Sequence, residues 1–563
     1  MGAQLPRRPR LPRPGRAPAR RPRPARRGRL DLLRPRLDPG DRRGVRAPDR
    51  HVRARVRPPE RARRGDPVTG DAVLALDLGT GGCKATLWSA DAVCLADAVV
   101  PYPTSHPAPG RNEQRTSDWW QAVVTAVRRL AEAVPDTAGR VAAVGLSGQS
   151  LGVVQVGAAH ETLRDATPIW SDIRATAQAE ELFRTVDERS WYEHTGNGFT
   201  PALYPLVKAA WLRQDDPAAW ARTRYLLGSK DWLNLRLTGE IGTDVSYASG
   251  SGALDIRAGR YDVDLLAAAG LDPGLLPEPR PSTDVLGGLS PAAAGELGLR
   301  AGTTVVLGAV DNACMALGSL TWTDGAIYAA LGSSSWITVS ASQPLVEWSA
   351  RPYVFRHAVE GQFLSALSTF SSGTSLEWLR ELVAPDLTSA EFIGLGAAAA
   401  SRTDGPVFLP MLAGGTPLEG GAGARGAVVG LDLATGRADL ARAALEGIAF
   451  ALRRSLDRMR ELSGTSADVL LTGGGSRHDG WNQIYADILG VPLVRTTVDQ
   501  QAATLGAAAI AFVGSGLWSS FEPVDAAHVS VAEYVPQPSA AEHYARLRAR
   551  FDALVADLAP RGS

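Results

Sequence analysis

Twice in this chain, about 250 residues apart, an apolar strand runs into a glycine-rich turn and straight out into another strand. The first copy is Ala72–Leu78, a turn through Gly79, Thr80, Gly81 and Gly82, then Lys84–Ser89. The second is Gly325–Leu331, the turn Gly332-Ser-Ser-Ser335, then Trp336–Ser340. A dinucleotide fingerprint opens a helix after its glycines, and here a strand follows. A Walker loop needs Gly-Lys followed by Ser or Thr, and Lys84 stands between Cys83 and Ala85. The first copy continues with a strand near Val93–Val100, a helix over Ser117–Ala133 with Ser117 as N-cap, and a buried strand Val141–Ser147. The second continues with a helix over Leu440–Leu462 and a strand Val469–Leu471 that enters Gly473-Gly474-Gly475. The recurrence predicts two related α/β halves around a cleft, with the crossover near Gly318–Thr323. A helix over Ala540–Ala556 should lie on the outside.

The length, 563 residues at 45% apolar, suffices for two such cores. A formal net charge of +1 hides an uneven distribution. Residues 1–70 hold 23 arginines, six acidic groups, 13 prolines and no aromatic residue. That composition cannot bury enough apolar surface to offset its ordering entropy, so a disordered Arg/Pro-rich extension is expected. Val68 onward would be a natural beginning, which makes a misassigned start part of that expectation. The remaining body is mildly acidic, so no nucleic-acid partner is expected for it. No apolar run is long enough to span a bilayer. Cys83, Cys94 and Cys314 form neither a disulfide framework nor a metal pair, which fits a reducing, cytoplasmic setting.

Four places carry chemistry. In Asp77-Leu-Gly-Thr-Gly-Gly-Cys-Lys84 the glycines let backbone amides approach an anion, and an acid at a strand end can hold Mg²⁺. Taken alone, such a turn serves a plain hairpin as readily. Asp311 follows the strand Thr304–Leu307 and precedes a run of small residues that reads as a helix. An acid there faces the cleft and the positive helix end, as an N-cap, a base or both. Gly332-Ser333 and Gly473–Gly475 each follow a strand, as phosphate or nucleoside contacts require. Gly148-Gln149-Ser150 and Trp170–Arg174 place polar groups at strand ends in the first half.

Together these segments resemble the FGGY family of carbohydrate kinases, most closely its xylulokinase branch. The matching stretches are Asp77–Lys84, Glu113-Gln114 with Trp119-Trp120, Gly148-Gln149, Trp170–Arg174, Ser229–Gly239, Gly308–Gly318, Leu331–Ser335, Gly426–Gly430 with Asp439–Glu446, and Gly473–Asp487. The resemblance runs from about Ala72 to Trp518. It implies two actin-like, ribonuclease H-like ATPase domains closing over ATP and a sugar: a sugar-binding domain over 71–320, an ATP-binding domain over 321–535, and a C-terminal helix and tail over 536–563. It makes Asp311 the general base, places Asp77 near Mg²⁺, and puts Gly79, Thr80 and Gly81 by the transferred phosphoryl group. Gly332, Ser333, Gly473, Gly474 and Gly475 would hold phosphates and nucleoside. Gln149, Ser150, Leu151, Asp172 and Asn312 would border the sugar. A homodimer without a membrane partner is the accompanying expectation.

Three departures bear on the substrate rather than on the reaction. Ser150-Leu151 stands where xylulokinases usually have Met-His, so a sugar-facing histidine is missing. Gly414-Gly-Thr-Pro417 lacks the charged pair of the common Gly-Glu-Arg-Thr-Pro segment, and Trp170-Ser-Asp-Ile-Arg174 replaces Trp-Asn-Asp-Gly-Arg. D-Xylulose is the first substrate expectation, with erythritol, ribulose or gluconate as alternatives. A non-catalytic sugar sensor on the same fold is the reading from another class; retention of Asp77 and Asp311 speaks against it.

Overall fold

Each glycine turn lies at the centre of its own sheet. The structure, a computed structural model, describes Gly70–Leu558; the basic extension expected over residues 1–70 lies outside the described residues but for Gly70, as do residues 559–563. In the first sheet Ala72–Leu78 pairs antiparallel with Gly82–Ser89, which pairs antiparallel with Cys94–Pro101. On its other side Ala72–Leu78 runs parallel to Val141–Gly148, which is flanked in parallel by Thr304–Val306 and by the short strand Ala309–Val310. The second sheet repeats this order. Ile327–Leu331 pairs antiparallel with Ser335–Ala341, and that strand with Phe363–Thr369. Its parallel side is Val469–Thr472 followed by Leu493–Thr496. The two halves read from the sequence are therefore copies in strand order and in pairing sense.

Local patterning explains the elements. The helix Thr116–Ala133 buries Trp119, Val123, Ala126, Val127 and Leu130 at three- and four-residue spacing against the first sheet. It starts one residue before the expected Ser117 cap: Arg115 is the N-cap, and no side chain caps the end. The 27-residue helix Arg437–Ser463 buries Leu445, Ile448, Leu452, Leu456 and Met459 in the same rhythm under the second sheet. The C-terminal helix Ala541–Leu558 lays Tyr544, Leu547, Phe551 and Val555 on that core. The helix Asp311–Gly318 begins at Asp311 itself, with Val310 as N-cap, so Asp311 is not the cap.

One packing relation crosses the sequence order. Helix Ala502–Gly514 follows the second sheet's strands, yet it packs on the first sheet and on helix Asp311–Gly318. The approach needs missing side chains: a Cβ at Gly506 would run into the Cys314 carbonyl, one at Gly318 into the Ala502 carbonyl, and one at Gly145 into the Ala507 carbonyl. Leu505, Ala508, Ile510 and Phe512 share a core with Val73, Ala75, Ala143, Val310 and Tyr328, which joins the halves by apolar contact.

Gly506→Val should overfill this contact and cost about 1–3 kcal/mol, the usual range for forced overpacking. The check is the urea midpoint. An unchanged midpoint would mean that the two helices can separate freely.

Candidate active site

Three parallel strand ends meet beneath the site. Asp77 lies opposite Ser147 in the register of the first pair, and Ser147 lies opposite Ala309 in the second. The chain after Val310 therefore emerges one strand away from Asp77, and its next residue is Asp311. Ser147 Oγ donates to Asp77 Oδ1 at 2.6 Å. Asn312 N–H donates to Asp311 Oδ1 at 2.8 Å, which fixes that carboxylate over the first helical turn. Burial raises the Asp77 carboxyl above the ordinary carboxylate range, opposed by the Ser147 bond and by Lys84. Burial, and then the charge of Asp77, pushes Asp311 up to about 7, with only the Asn312 amide opposing. A carboxylate tuned to neutral pH is suited to take a proton from an alcohol.

The first glycine turn is braced from several directions. Gly79 N–H bonds the Gly82 carbonyl at 3.1 Å, and the Tyr102 hydroxyl donates to the Gly79 carbonyl. Trp170 Nε1 donates to Thr80 Oγ1 at 2.8 Å, and Gln114 Nε2 to the Thr80 carbonyl at 2.7 Å. Gly81 is open to solvent. Gln114 Oε1 in turn accepts from Trp119 Nε1 at 2.9 Å and from Gln149 Nε2 at 2.8 Å. This chain of bonds ties the turn to the residues after Gly148. Gln149 Oε1 is buried and has no partner, an acceptor left for a ligand hydroxyl. Ser150 and Asn312 are half-buried. Leu151 is buried in an apolar cluster with Trp191, Tyr192 and Tyr204, and its φ of 61° is strained for a residue with a bulky side chain.

Asp172, expected to border the sugar, has another part. Its Oδ1 accepts from Arg174 N and Nε at 3.0 and 2.8 Å, and its Oδ2 from Asn112 N and Arg174 Nη2 at 2.7 and 2.6 Å. Those four bonds use its acceptor positions, and Arg174 also pairs with Glu113 at 2.7 Å. The carboxylate fixes the loop that carries Trp170 instead of offering itself to a hydroxyl.

In the second half the two remaining turns converge because their strands are parallel neighbours, with Ala330 opposite Thr472. Gly332, Gly473 and Gly474 line one cavity of ≈ 250 Å³ with Trp336, Asp499 and Gln500. Met315, one turn beyond Asp311 on the same helix, lines this cavity, although Asp77 and Asp311 are not among the residues that line it. Gly473 has φ 88°, and a Cβ there would stand 2.6 Å from the Leu331 carbonyl. Gly475 presses on Leu331, and the Ser333 carbonyl takes the amides of Ser372 and Thr374 at 3.0 and 3.1 Å; neither residue is among those lining the cavity. Lys84 spans the cleft, its Nζ donating to the Gln500 carbonyl at 2.5 Å.

The sequence reading gave no part to Tyr102, Gln114, Lys208 or Lys230. Gln114 and Tyr102 carried no local signal, because their partners lie in other segments. Lys208 did: it interrupts the otherwise apolar stretch Leu206–Leu212, whereas Lys230 stands in a mixed stretch with Ser229, Asp231 and Asn234. Both are buried, Lys230 between Asp231 and Asp244 at 2.6 and 3.1 Å.

Comparison with known proteins places the chain in a family. Models of the N-terminal and C-terminal domains of the FGGY family of carbohydrate kinases match residues 72–318 and 327–515. A xylulose kinase of Lactococcus lactis is 30% identical over 483 residues, 84% of this chain and 94% of that protein. The crystal structure of a xylulose kinase from Rhodospirillum rubrum superposes with a TM-score of 0.80 at 29% identity, covering 87% of this chain and 99% of that one. That of a gluconate kinase from Lactobacillus acidophilus gives 0.81 at 25% identity, covering 87% and 98%.

Arg174→Met should strand the buried Asp172 carboxylate without its paired cation and lower stability by about 3–5 kcal/mol, as expected when one partner of a buried pair is removed. Chemical denaturation reads the loss. A shift below about 1 kcal/mol would match a solvated surface pair instead.

Proposed function

The chain belongs to the FGGY family of carbohydrate kinases and is an ATP-dependent sugar kinase, and on that premise we propose that its acceptor is a ketopentose, D-xylulose first, with D-xylulose 5-phosphate as product. The observation that carries the chemistry is the position of Asp77 and Asp311 at the ends of the two strands that flank Val141–Gly148, with the helix that Asp311 begins reaching the second-half glycine cavity through Met315. In this reading the sugar hydroxyl attacks the γ-phosphorus of ATP. The new O–P bond forms as the bond to ADP breaks, and Asp311 takes the hydroxyl proton. Gly79, Thr80 and Gly81 border the phosphoryl group in flight. Gly332, Gly473 and Gly474, with Ser333 and Gly475 behind them, receive the nucleotide. Such transfers rest on positioning and charge stabilisation more than on covalent chemistry.

Mg²⁺ belongs to the same reading. Among the described residues no group of three or more His, Cys, Asp or Glu side chains could hold a metal by itself. Mg²⁺ usually takes one or two carboxylates, water and substrate phosphates, so Asp77 with an unbonded Oδ2 fits as its protein ligand. When bound, the ion neutralises charge on the phosphates.

On the sugar side Gln149 Oε1 offers an unpaired acceptor, and Ser150 and Asn312 are half-buried polar residues that this reading assigns to the same wall. The Leu151 side chain supplies no hydrogen bond where the resemblance has a histidine, and this favours a second reading: another sugar, a polyol or a sugar acid, such as ribulose, erythritol or gluconate. The likeness to a gluconate kinase supports keeping it.

A panel of ketopentoses, polyols and sugar acids with coupled ADP detection tests both readings; the first fails if D-xylulose gives no ADP above background while another acceptor does. Asp311→Asn should retain ATP binding and lose about 10²–10⁴ in turnover, the usual contribution of a general base. Because the Asp311 carboxyl is raised to about 7, it is protonated and unable to accept below that pH. The kcat/KM of the unmodified enzyme should therefore fall about tenfold per pH unit below 7 and level off above it. A profile flat down to pH 5.5 would remove Asp311 from the role.

A further inference from the structure

Lys208 is wholly buried, 0% exposed, in the helix Pro205–Asp215 among Leu206, Val207, Ala209 and Leu212. Among the described residues it forms no salt bridge, unlike Lys230. Its Nζ donates instead to three backbone carbonyls: Leu151 at 2.9 Å, Ile169 at 2.7 Å and Trp170 at 3.4 Å. Burying an ammonium among neutral partners is costly, and an apolar side chain would fill this helix position without that cost. The carbonyls show what is gained. They come from two separate stretches, one directly after Gln149 and Ser150, the other carrying the indole that holds Thr80. Neither stretch is bonded into a main sheet there, and Leu151 sits in a backbone conformation that needs outside support.

We propose that Lys208 is a positioning residue, a three-pronged staple that holds the Gln149–Leu151 wall of the sugar site against the Ile169–Trp170 wall and so against the Thr80 turn. It touches no reactant. Its effect falls on the sugar rather than on ATP, whose cavity is lined by Gly332, Gly473 and Gly474 on the far side of the cleft. The proposal rests on the sugar site described under the proposed function. Charge state supports it. An ammonium has three N–H donors for three carbonyls, and a neutral amine has two. Burial pushes Lys208 down to about 7. The charged groups facing it are Asp172, which opposes that shift, and Arg174, which adds to it; the two are paired with each other, and Arg174 with Glu113 as well. The third prong is thus weakest on the alkaline side of neutrality.

The test starts from a sugar that the unmodified enzyme phosphorylates. If the panel yields none, the proposed function fails, and that failure is seen before any variant is made. Lys208→Met keeps the length of the side chain and removes all three donors. The expected result is a sugar KM raised at least tenfold with the KM for ATP within twofold of the original. Equal changes in both constants, or no change in either, would overturn the proposal and leave Lys208 a general stabiliser or a bystander. Should the variant not fold, calorimetric binding of the same sugar to Asp311→Asn, which removes the other group that titrates near 7 at this site, at pH 6.5 and 8.5 decides. At least threefold weaker binding at 8.5 is expected; equal affinity at the two pH values overturns the staple.

Discussion

Asp311 stands where its negative charge is least welcome: in a half-buried cleft, one strand away from another carboxylate. Burial and the field of Asp77 act in the same direction on it, and a single backbone amide opposes them. Much of the surrounding structure follows from holding that unfavourable pair in place. Ser147 keeps Asp77 by a short bond from the strand between the two acids, and the Asn312 amide holds Asp311 on its first helical turn. Lys84, the nearest cation to Asp77 in its own strand pair, is also the residue that reaches across to Gln500. An acid kept close to neutral pH by its surroundings exchanges a proton with an alcohol more readily than an ordinary surface aspartate does.

The duplicated sheet makes that geometry cheap to build. In each half a central strand has an antiparallel neighbour on one side and a parallel one on the other. A turn at its end therefore projects beside the end of the parallel strand. In the first half this sets Asp77 and the Gly79 turn beside Ser147 and Gly148; in the second it sets Gly332 beside Gly473. Helix Ala502–Gly514 then joins the halves through contacts so close that glycine is needed at Gly506, Gly318 and Gly145. The same helix packs on helix Asp311–Gly318, so apolar contact between the halves also fixes the element that starts with Asp311.

The strands, their glycine turns and the repeat were legible because each is a local pattern: apolar runs of strand length, then glycine. Helix ends were less so. Nothing in the order Arg115-Thr116-Ser117 tells that the first turn goes without a side-chain cap, and at Asp311 the short strand Ala309–Val310 takes the capping position. The packing of helix Ala502–Gly514 onto the other half was invisible, since its uniformly small and apolar residues suit any interior. Asp172 shows the limit for site residues. Its place in a polar loop pointed to a ligand, whereas two bonds from the Arg174 side chain and two backbone amides consume its oxygens. Such commitments depend on where Asn112 and Glu113 fold back, which a linear motif does not record.

In the proposed reading, selection of the acceptor and transfer of the phosphoryl group fall to different residues, and the structural support of each is separate. The acids and glycines sit at sheet ends, where ladder hydrogen bonds and a shared core fix them. The acceptor's walls are irregular segments held by side chains that reach in from elsewhere: Gln114 onto Gln149, Arg174 onto Asp172, Lys208 onto Leu151 and Trp170. A change at Ser150 or Leu151 can alter which hydroxyls are satisfied without disturbing the strands that carry Asp77 and Asp311. On the proposed reading, that division lets Ser150 and Leu151 differ from the pattern of the resemblance while Asp77 and Asp311 are kept. It also locates specificity in the packing behind the walls as much as in the groups that face the cleft.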